Sequence, residues 1–141
     1  MPKIFISAGD PSADIYGSNL IKSLTRKNPK LEIYGIGGDK MAGAGLKTLA
    51  NTANMGVFGP YEAFKKIFYF KKIFKTRIKP FIENEKPDVV VLIDFYAFNI
   101  NIAKCARKCG IKTVYYVAPQ IWASRPWRIK MIKRFIDRML V

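Results

Sequence analysis

The stretch Pro87-Asp88-Val89-Val90-Val91-Leu92-Ile93-Asp94 decides the fold of this chain. Its run of apolar residues, rich in Val and Ile and opened by Pro-Asp, predicts a strand buried on both faces, which is typical of a parallel sheet covered by helices. Ligands of such sheets bind outside the carboxyl ends of the strands, so the position of Asp94 favours a role in chemistry. The alternative is that Asp94 only caps the following helix, because aspartate is a preferred N-cap residue.

The rest of the chain alternates between strand and helix patterns, which predicts one doubly wound α/β domain of Rossmann type with a parallel sheet. The predicted strands are 3–8, 31–36, 46–49, 89–94 and 113–117, with 138–141 as the opening of another. The predicted helices are 15–27, a short one after Asp39, 61–85 with a kink or break at Pro80, 99–108 and 127–136. Because the sequence stops as a strand begins, we expect a truncated domain of a longer protein.

Composition narrows the classes of function. Half of the 141 residues are hydrophobic, which suits a packed core, and no apolar stretch reaches the ~18 residues of a membrane span. The chain has two cysteines and no histidine, which argues against a zinc site or a histidine-based triad. Its net charge of +15 predicts an anionic partner: nucleic acid, a membrane surface or a phosphorylated substrate.

Much of the positive charge falls in two segments, 61–79 and 125–138. In the first, one broad apolar helix face is predicted, made of Phe64, Ile67, Phe68, Phe70, Phe74 and Ile78. Lys71 and Lys75 fall inside that face, whereas Tyr69 and Ile73 are predicted to lie opposite it. Basic residues among aromatic ones suit an anionic membrane interface, so Phe64, Phe68, Lys71 and Lys75 are predicted membrane contacts. The alternatives are a solvated basic face over a core helix, or a basic nucleic-acid-binding or membrane-binding module without catalysis.

Two loops are candidates for ligand binding. The loop 7–14 joins a strand to a helix N-terminus, where free backbone donors suit an anion, although Asp10 or Ser12 could equally be a plain N-cap. It matches neither the dinucleotide fingerprint nor the Walker motif. The loop after the strand at 113–117 combines two tryptophans, two arginines and two prolines. Aromatic rings suit a sugar and arginines suit phosphate, whereas the alternative is that the tryptophans anchor the core.

The order and spacing of these motifs resemble the lipid-A-disaccharide synthase family, inverting glycosyltransferases of the GT-B class. The motifs are Ala8-Gly9-acid-x-Ser12-x-Asp14, Met55-Gly56, Lys86-Pro87-Asp88, Ile93-Asp94-x-x-x-Phe98-Asn99, Gly110-Ile111-Lys112-Thr113 and Tyr116-Val117-x-Pro119-x-x-Trp122-Ala123. The resemblance implies that residues 1–141 are the N-terminal, acceptor-side Rossmann-like domain, without the C-terminal nucleotide-sugar domain and inactive alone. A lipid II glycosyltransferase would instead open with a Gly-Gly-x-Gly-Gly-His loop. A UDP-sugar epimerase would carry Gly-Thr-Arg-Pro near its start.

The resemblance also implies the reaction and the site. A UDP-linked 2,3-diacylglucosamine would be transferred to 2,3-diacylglucosamine 1-phosphate, with Asp94 as the general base and no cofactor or metal. Implied substrate-binding residues are Gly9, Ser12, Asp14, Met55, Gly56, Asn99, Pro119, Trp122, Arg125 and Arg128. The implied location is cytoplasmic, peripheral on the inner face of the cytoplasmic membrane of a Gram-negative-type bacterium, with no nucleic acid partner. The chain departs from the family pattern at Tyr96 and Ala97, where Pro and a second Asp are usual, and at Asp10, Pro11 and Ala13 in the first loop.

Overall fold

Six parallel strands form one sheet in the computed structural model, which describes residues 2–52, 60–94, 96–116, 130 and 133–140, without the side chains at 60–64, 96 and 140. The strands are β1 (Lys3–Ser7), β2 (Glu32–Gly37), β3 (Lys47–Asn51), β4 (Val89–Ile93), β5 (Lys112–Tyr116) and β6 (Arg138–Leu140). Their order is β3-β2-β1-β4-β5-β6, and every neighbouring pair is parallel. The predicted doubly wound sheet is therefore confirmed, including the strand predicted to open at residue 138.

Helices connect these strands on both faces of the sheet. They are α1 (Pro11–Lys27), α2 (Asp39–Gly43), α3 (Pro60–Ile73), α4 (Lys79–Glu85) and α5 (Tyr96–Lys108), and a π-helical turn (Phe74–Ile78) joins α3 to α4. Helix α1 begins four residues before the predicted start, because Pro11 suits the first helical turn and Asp10 caps it. Among the described helices, none is both long and apolar enough to cross a membrane.

The π-helical turn is the break that Pro80 predicts, displaced one turn toward the N-terminus. Pro80 has no backbone N–H and so cannot continue the helical hydrogen-bond ladder. The Lys79 N–H donates to the Phe74 carbonyl, five residues back, and the Thr76 hydroxyl donates to the Lys72 carbonyl at 2.6 Å. The wider turn thus accommodates the proline without ending the helical path.

Apolar side chains of β4 point to both faces of the sheet, which explains the uninterrupted apolar run. Val90 and Leu92 pack in the cluster under α3, α4 and α5, whereas Val91 and Ile93 pack in the cluster under α1 and α2. All four are at most 7% exposed. Burying such side chains contributes about 1.5–3 kcal/mol each, so both helical layers help to hold the strand.

The core side of α3 matches the predicted apolar face only in part, since Phe70 is in the core cluster and Phe74 packs against it, whereas other predicted members are exposed. Phe70 and Ile73 are 3% and 4% exposed, whereas Ile67 and Phe68 are 53% and 60% exposed. The prediction that Ile73 lies opposite the apolar face is therefore wrong. The prediction that Phe68 and Phe70 share one face is also wrong, because Phe70 is buried and Phe68 is exposed. Apolar residues occur nearly all round this helix, so periodicity alone could not select the buried side.

The amino edge of the sheet is tied by polar contacts. The Asp88 carboxylate accepts from the Lys3 N–H at 2.8 Å, the Asp88 N–H donates to the Lys3 carbonyl at 2.8 Å, and Lys3 Nζ lies 2.7 Å from Glu85 Oε2. These contacts join the start of β1 to the start of β4. The Lys86-Pro87-Asp88 motif therefore has a structural role at the edge opposite the carboxyl ends of the strands.

Candidate active site

The candidate site lies where the strand order reverses, between the carboxyl ends of β1 and β4. The chain leaves β1 toward β2 on one side, whereas β4 leads to β5 on the other. Such a switch point opens a crevice, which is where open α/β sheets bind ligands. Gly9 lies just beyond the end of β1 and Asp94 just beyond the end of β4. The fold thus brings together the first motif and the predicted base.

Asp94 has an unusual backbone conformation. Its φ of 46° is left-handed, which disfavours residues with a Cβ, although aspartate tolerates it better than most. Three hydrogen bonds hold the backbone N–H and carbonyl groups of Asp94. The Asp94 N–H donates to the Tyr116 carbonyl at 3.0 Å, and the Asp94 carbonyl accepts from the Tyr115 hydroxyl at 2.6 Å and from Asn99 Nδ2 at 2.7 Å.

The Asp94 carboxylate, in contrast, is half-buried and accepts no hydrogen bond from the described residues. The first residue of α5 is Tyr96, so Asp94 stands two positions before the helix. No cap bond from its carboxylate to a described N–H of that helix exists, so the interpretation of Asp94 as a plain N-cap gains no support. A carboxylate at this edge that no described residue engages can accept a proton from a bound hydroxyl group.

Asn99 ties α5 to both central strands. Its Oδ1 accepts from the Ser7 hydroxyl at 2.6 Å, and its Nδ2 donates to the carbonyls of Ile93 at 3.2 Å and Asp94 at 2.7 Å. Asn99 is fully buried and Ser7 is 1% exposed. The amide is therefore engaged at both ends inside the protein. Its geometry fits the positioning of Asp94 better than the predicted contact with substrate.

The first loop contains the N-cap of α1 and a residue that is exposed to solvent. The Asp10 carboxylate accepts from the Ala13 N–H at 2.8 Å, so Asp10 is the N-cap of α1, as one of the two alternatives proposed. Gly9 is buried, whereas Ser12 is exposed in the first turn of the helix. Ser12 is therefore accessible to solvent at the start of α1, and its role in substrate binding stays a prediction.

Asp14 is used inside the protein. Asp14 is 5% exposed, and its carboxylate accepts from the N–H groups of Gly38 at 2.9 Å, Lys40 at 3.1 Å and Met41 at 3.0 Å. These are the free donors at the N-terminus of α2, which has no side-chain cap of its own. The last residue of the motif thus fixes α2 to α1, and this role explains its place in the motif without a ligand.

The structure describes only some of the remaining residues that were predicted to bind substrate or membrane. Phe68 and Lys71 are exposed on the outer side of α3, and Lys75 is exposed on the adjoining π-helical turn. Outside the described residues lie Met55, Gly56, Pro119, Trp122, Arg125 and Arg128, and the side chain of Phe64. Their predicted roles stay predictions. Ala97, which replaces the second acid of the family pattern, is exposed in the first turn of α5.

Two residues of the site were missed in the sequence. Ser7 and Tyr115 sit at strand ends beside the switch point and contact Asn99 and Asp94. A small polar residue ending a buried strand was a usable signal for Ser7. For Tyr115 there was none, because its hydroxyl meets a partner 21 residues away, and strand periodicity does not reveal such a pairing.

With this geometry established, comparison with known proteins identifies the family. A family model for lipid-A-disaccharide synthetase matches residues 4–141. The chain belongs to this family. Lipid-A-disaccharide synthases from Trichlorobacter lovleyi and Coxiella burnetii are both 40% identical to it, over 99% and 98% of the chain. The chain spans about a third of the length of these curated relatives, since it covers 36% of each.

Solved structures show the same architecture. A UDP-N-acetylglucosamine 2-epimerase matches with a TM-score of 0.64 at 13% identity, covering 99% of this chain and 41% of its own. MurG from Acinetobacter baumannii matches with a TM-score of 0.59 at 13% identity, covering 99% of this chain and 40% of its own. At such identity the likeness concerns the fold alone, and it agrees with the predicted Rossmann-like domain.

Proposed function

We propose that this chain is the acceptor-side domain of a lipid-A-disaccharide synthase. The reaction joins an acylated glucosamine from a UDP-linked donor to the 6′-hydroxyl of an acylated glucosamine 1-phosphate. The observation that carries the proposal is Asp94: in a member of this family, a half-buried carboxylate without a partner among the described residues stands at the switch point of the sheet.

In the proposed mechanism, Asp94 acts as the general base. As the acceptor oxygen forms its bond to C1 of the donor sugar, its proton passes to the Asp94 carboxylate, and the bond from C1 to the UDP oxygen breaks. Attack on the face opposite UDP inverts the configuration at C1. The backbone of Asp94 is held by three hydrogen bonds, so the base is oriented before the acceptor arrives.

The outer face of α3 is the proposed membrane contact. Ile67 and Phe68 are more than half exposed there, Lys71 is exposed on the same helix, and Lys75 is exposed on the adjoining π-helical turn. Apolar side chains that enter the interface, together with cations that meet anionic headgroups, suit the cytoplasmic face of the inner membrane, where acylated substrates reside. This arrangement differs from a solvated basic face, because two large apolar side chains point away from the core.

Asp94→Asn tests the base assignment. In the complete gene product that contains residues 1–141, this substitution should lower the rate of disaccharide formation by about 10²–10⁴-fold and leave the melting temperature nearly unchanged. Asp39→Asn, at an exposed carboxylate in the first turn of α2, is the matched control and should keep full activity. A rate in Asp94→Asn within threefold of wild type would refute the assignment.

Vesicle binding tests the membrane face. Binding of the protein to vesicles of phosphatidylglycerol and phosphatidylethanolamine should weaken about tenfold in Phe68→Ser. It should weaken about thirtyfold in Lys71→Gln/Lys75→Gln, since each cation near an anionic surface contributes about 1 kcal/mol. Tyr16→Ser is the control, because Tyr16 is 50% exposed but lies on α1, on the other face of the sheet. Tighter binding to oligonucleotides than to vesicles would favour the nucleic-acid module instead.

A further inference from the structure

We infer that Tyr115 is a positioning residue, which sets the direction of the Asp94 carboxylate by holding the Asp94 backbone. The inference rests on the proposed role of Asp94 as the base. Tyr115 is fully buried in the cluster under α3, α4 and α5, and its hydroxyl donates to the Asp94 carbonyl at 2.6 Å.

The direction of the carboxylate depends on the backbone because no described residue holds the carboxylate itself. With φ at 46°, the Cα–Cβ bond of Asp94 leaves the chain in a direction that extended backbone does not allow. An extended Asp94 would simply continue the alternation of β4, in which Ile93 faces α1 and Leu92 the opposite face. The left-handed conformation therefore selects where the proton acceptor points.

Consecutive residues of β5 hold the two sides of this residue. The Tyr116 carbonyl accepts the Asp94 N–H at 3.0 Å, and the Tyr115 hydroxyl binds the Asp94 carbonyl. The first bond belongs to the backbone and survives any side-chain substitution. The second depends on the Tyr115 hydroxyl group alone. This donor is buried away from water and therefore requires a hydrogen-bond acceptor inside the protein.

Asn99 provides the other bond to the same carbonyl and is itself held by Ser7. A carbonyl oxygen can accept two hydrogen bonds, and here both donors are buried side chains. Loss of the Tyr115 hydroxyl should loosen the Asp94 turn without dissolving it, since Asn99 remains. The expected consequence is a partial loss of rate.

Tyr115→Phe removes only this hydroxyl. In the complete gene product, kcat for disaccharide formation should fall about tenfold, because the base is misdirected, while KM for the acceptor stays within twofold. In an Asp94→Asn background, Tyr115→Phe should change the residual rate less than twofold, because Tyr115 acts through Asp94. The backbone chemical shifts and the HN–Hα coupling of Asp94, measured in aspartate-labelled protein, should move.

Thr113→Val is the matched control. Thr113 lies two residues earlier on the same side of β5 and is fully buried, and its hydroxyl has no hydrogen-bond partner in the described part of the chain. It removes a buried hydroxyl from the same strand without touching Asp94. This variant should keep wild-type kcat and unchanged Asp94 signals.

Four results would overturn the inference: wild-type kcat in Tyr115→Phe, unmoved Asp94 signals, an equal loss of kcat in Thr113→Val, or an equal loss caused by Tyr115→Phe in the Asp94→Asn background. The proposed function fails by a different result, full activity of Asp94→Asn. In that case the Asp94 signals of Tyr115→Phe still decide whether Tyr115 holds this backbone, since unmoved signals would refute it.

Discussion

Replacing Asp14 by alanine should cost this protein a large part of its stability. The carboxylate accepts three backbone N–H groups at the start of α2, and a helix of five residues has little intrinsic stability without such a cap. Asp14→Ala leaves these donors without their acceptor. If Asp14 instead served only a ligand, its removal would lower affinity and leave the free energy of unfolding unchanged.

The size of the loss in stability depends on which of the three N–H donors remain inaccessible to water. Gly38 and Met41 are buried, whereas Lys40 is exposed and can turn its N–H to water. A hydrogen bond to a charged group contributes about 1.5–3 kcal/mol, so the loss of the two buried bonds should cost roughly 3–6 kcal/mol. Total stabilities of domains are about 5–15 kcal/mol, so this substitution approaches the limit that the fold tolerates.

Asparagine at position 14 should be far milder. The same oxygen, Oδ1, accepts from both Gly38 and Met41, and an amide oxygen can take its place. The Oδ2 bond to Lys40 is lost, and the two remaining bonds lose the charge of their acceptor, which together should cost about 2 kcal/mol. Urea unfolding followed by circular dichroism measures both variants, with Asp10→Ala as a one-bond control expected to lose about 1 kcal/mol. A loss below 1 kcal/mol in Asp14→Ala, or equal losses in Asp14→Ala and Asp14→Asn, would refute the reasoning.

Three further predictions concern packing, backbone conformation and thiol chemistry. A Cβ at position 37 would overlap the sulfur of Met41, so Gly37→Ala should cost about 1–3 kcal/mol in urea unfolding, and an unchanged midpoint would contradict this. Lys86 ends α4 with φ at 44°, so Lys86→Gly should raise the free energy of unfolding by about 1 kcal/mol, and a loss would count against it. Burial raises the pKa of Cys105 to about 11, so at pH 8 iodoacetamide should alkylate the half-buried Cys109 first. Peptide mass spectrometry measures both alkylation rates, and equal rates would disprove the prediction.

The strands could be predicted because their signal is local. In β4 every position is apolar, which leaves no polar face and requires helices on both sides of the sheet. Even β6 was indicated by its first residues. The buried side of α3 could not be predicted, because Ile67 and Phe68 are as apolar as Phe70 and Ile73, and only packing against the sheet distinguishes them.

The place of the candidate site in the fold could be inferred from the sequence, whereas the hydrogen bonds within it could not. The end of β4 identified Asp94, and the order of motifs identified the loop at Gly9. The partners of Asp14 lie 24 to 27 residues away in sequence, and the partner of Tyr115 lies 21 residues away. Such pairs form because parallel strands bring their ends together, and a periodic pattern in one segment does not contain that information.

The central place of β1 in the sheet has a consequence for synthesis on the ribosome. Among the described strands β1 is made first, and it pairs with β2, at residues 32–37, on one side and with β4, at residues 89–93, on the other. One edge of β1 therefore waits while more than 50 further residues are added, which is the kind of open strand edge that invites association between nascent chains. The turn at Asp94 closes later still, once Tyr115 and Tyr116 have emerged.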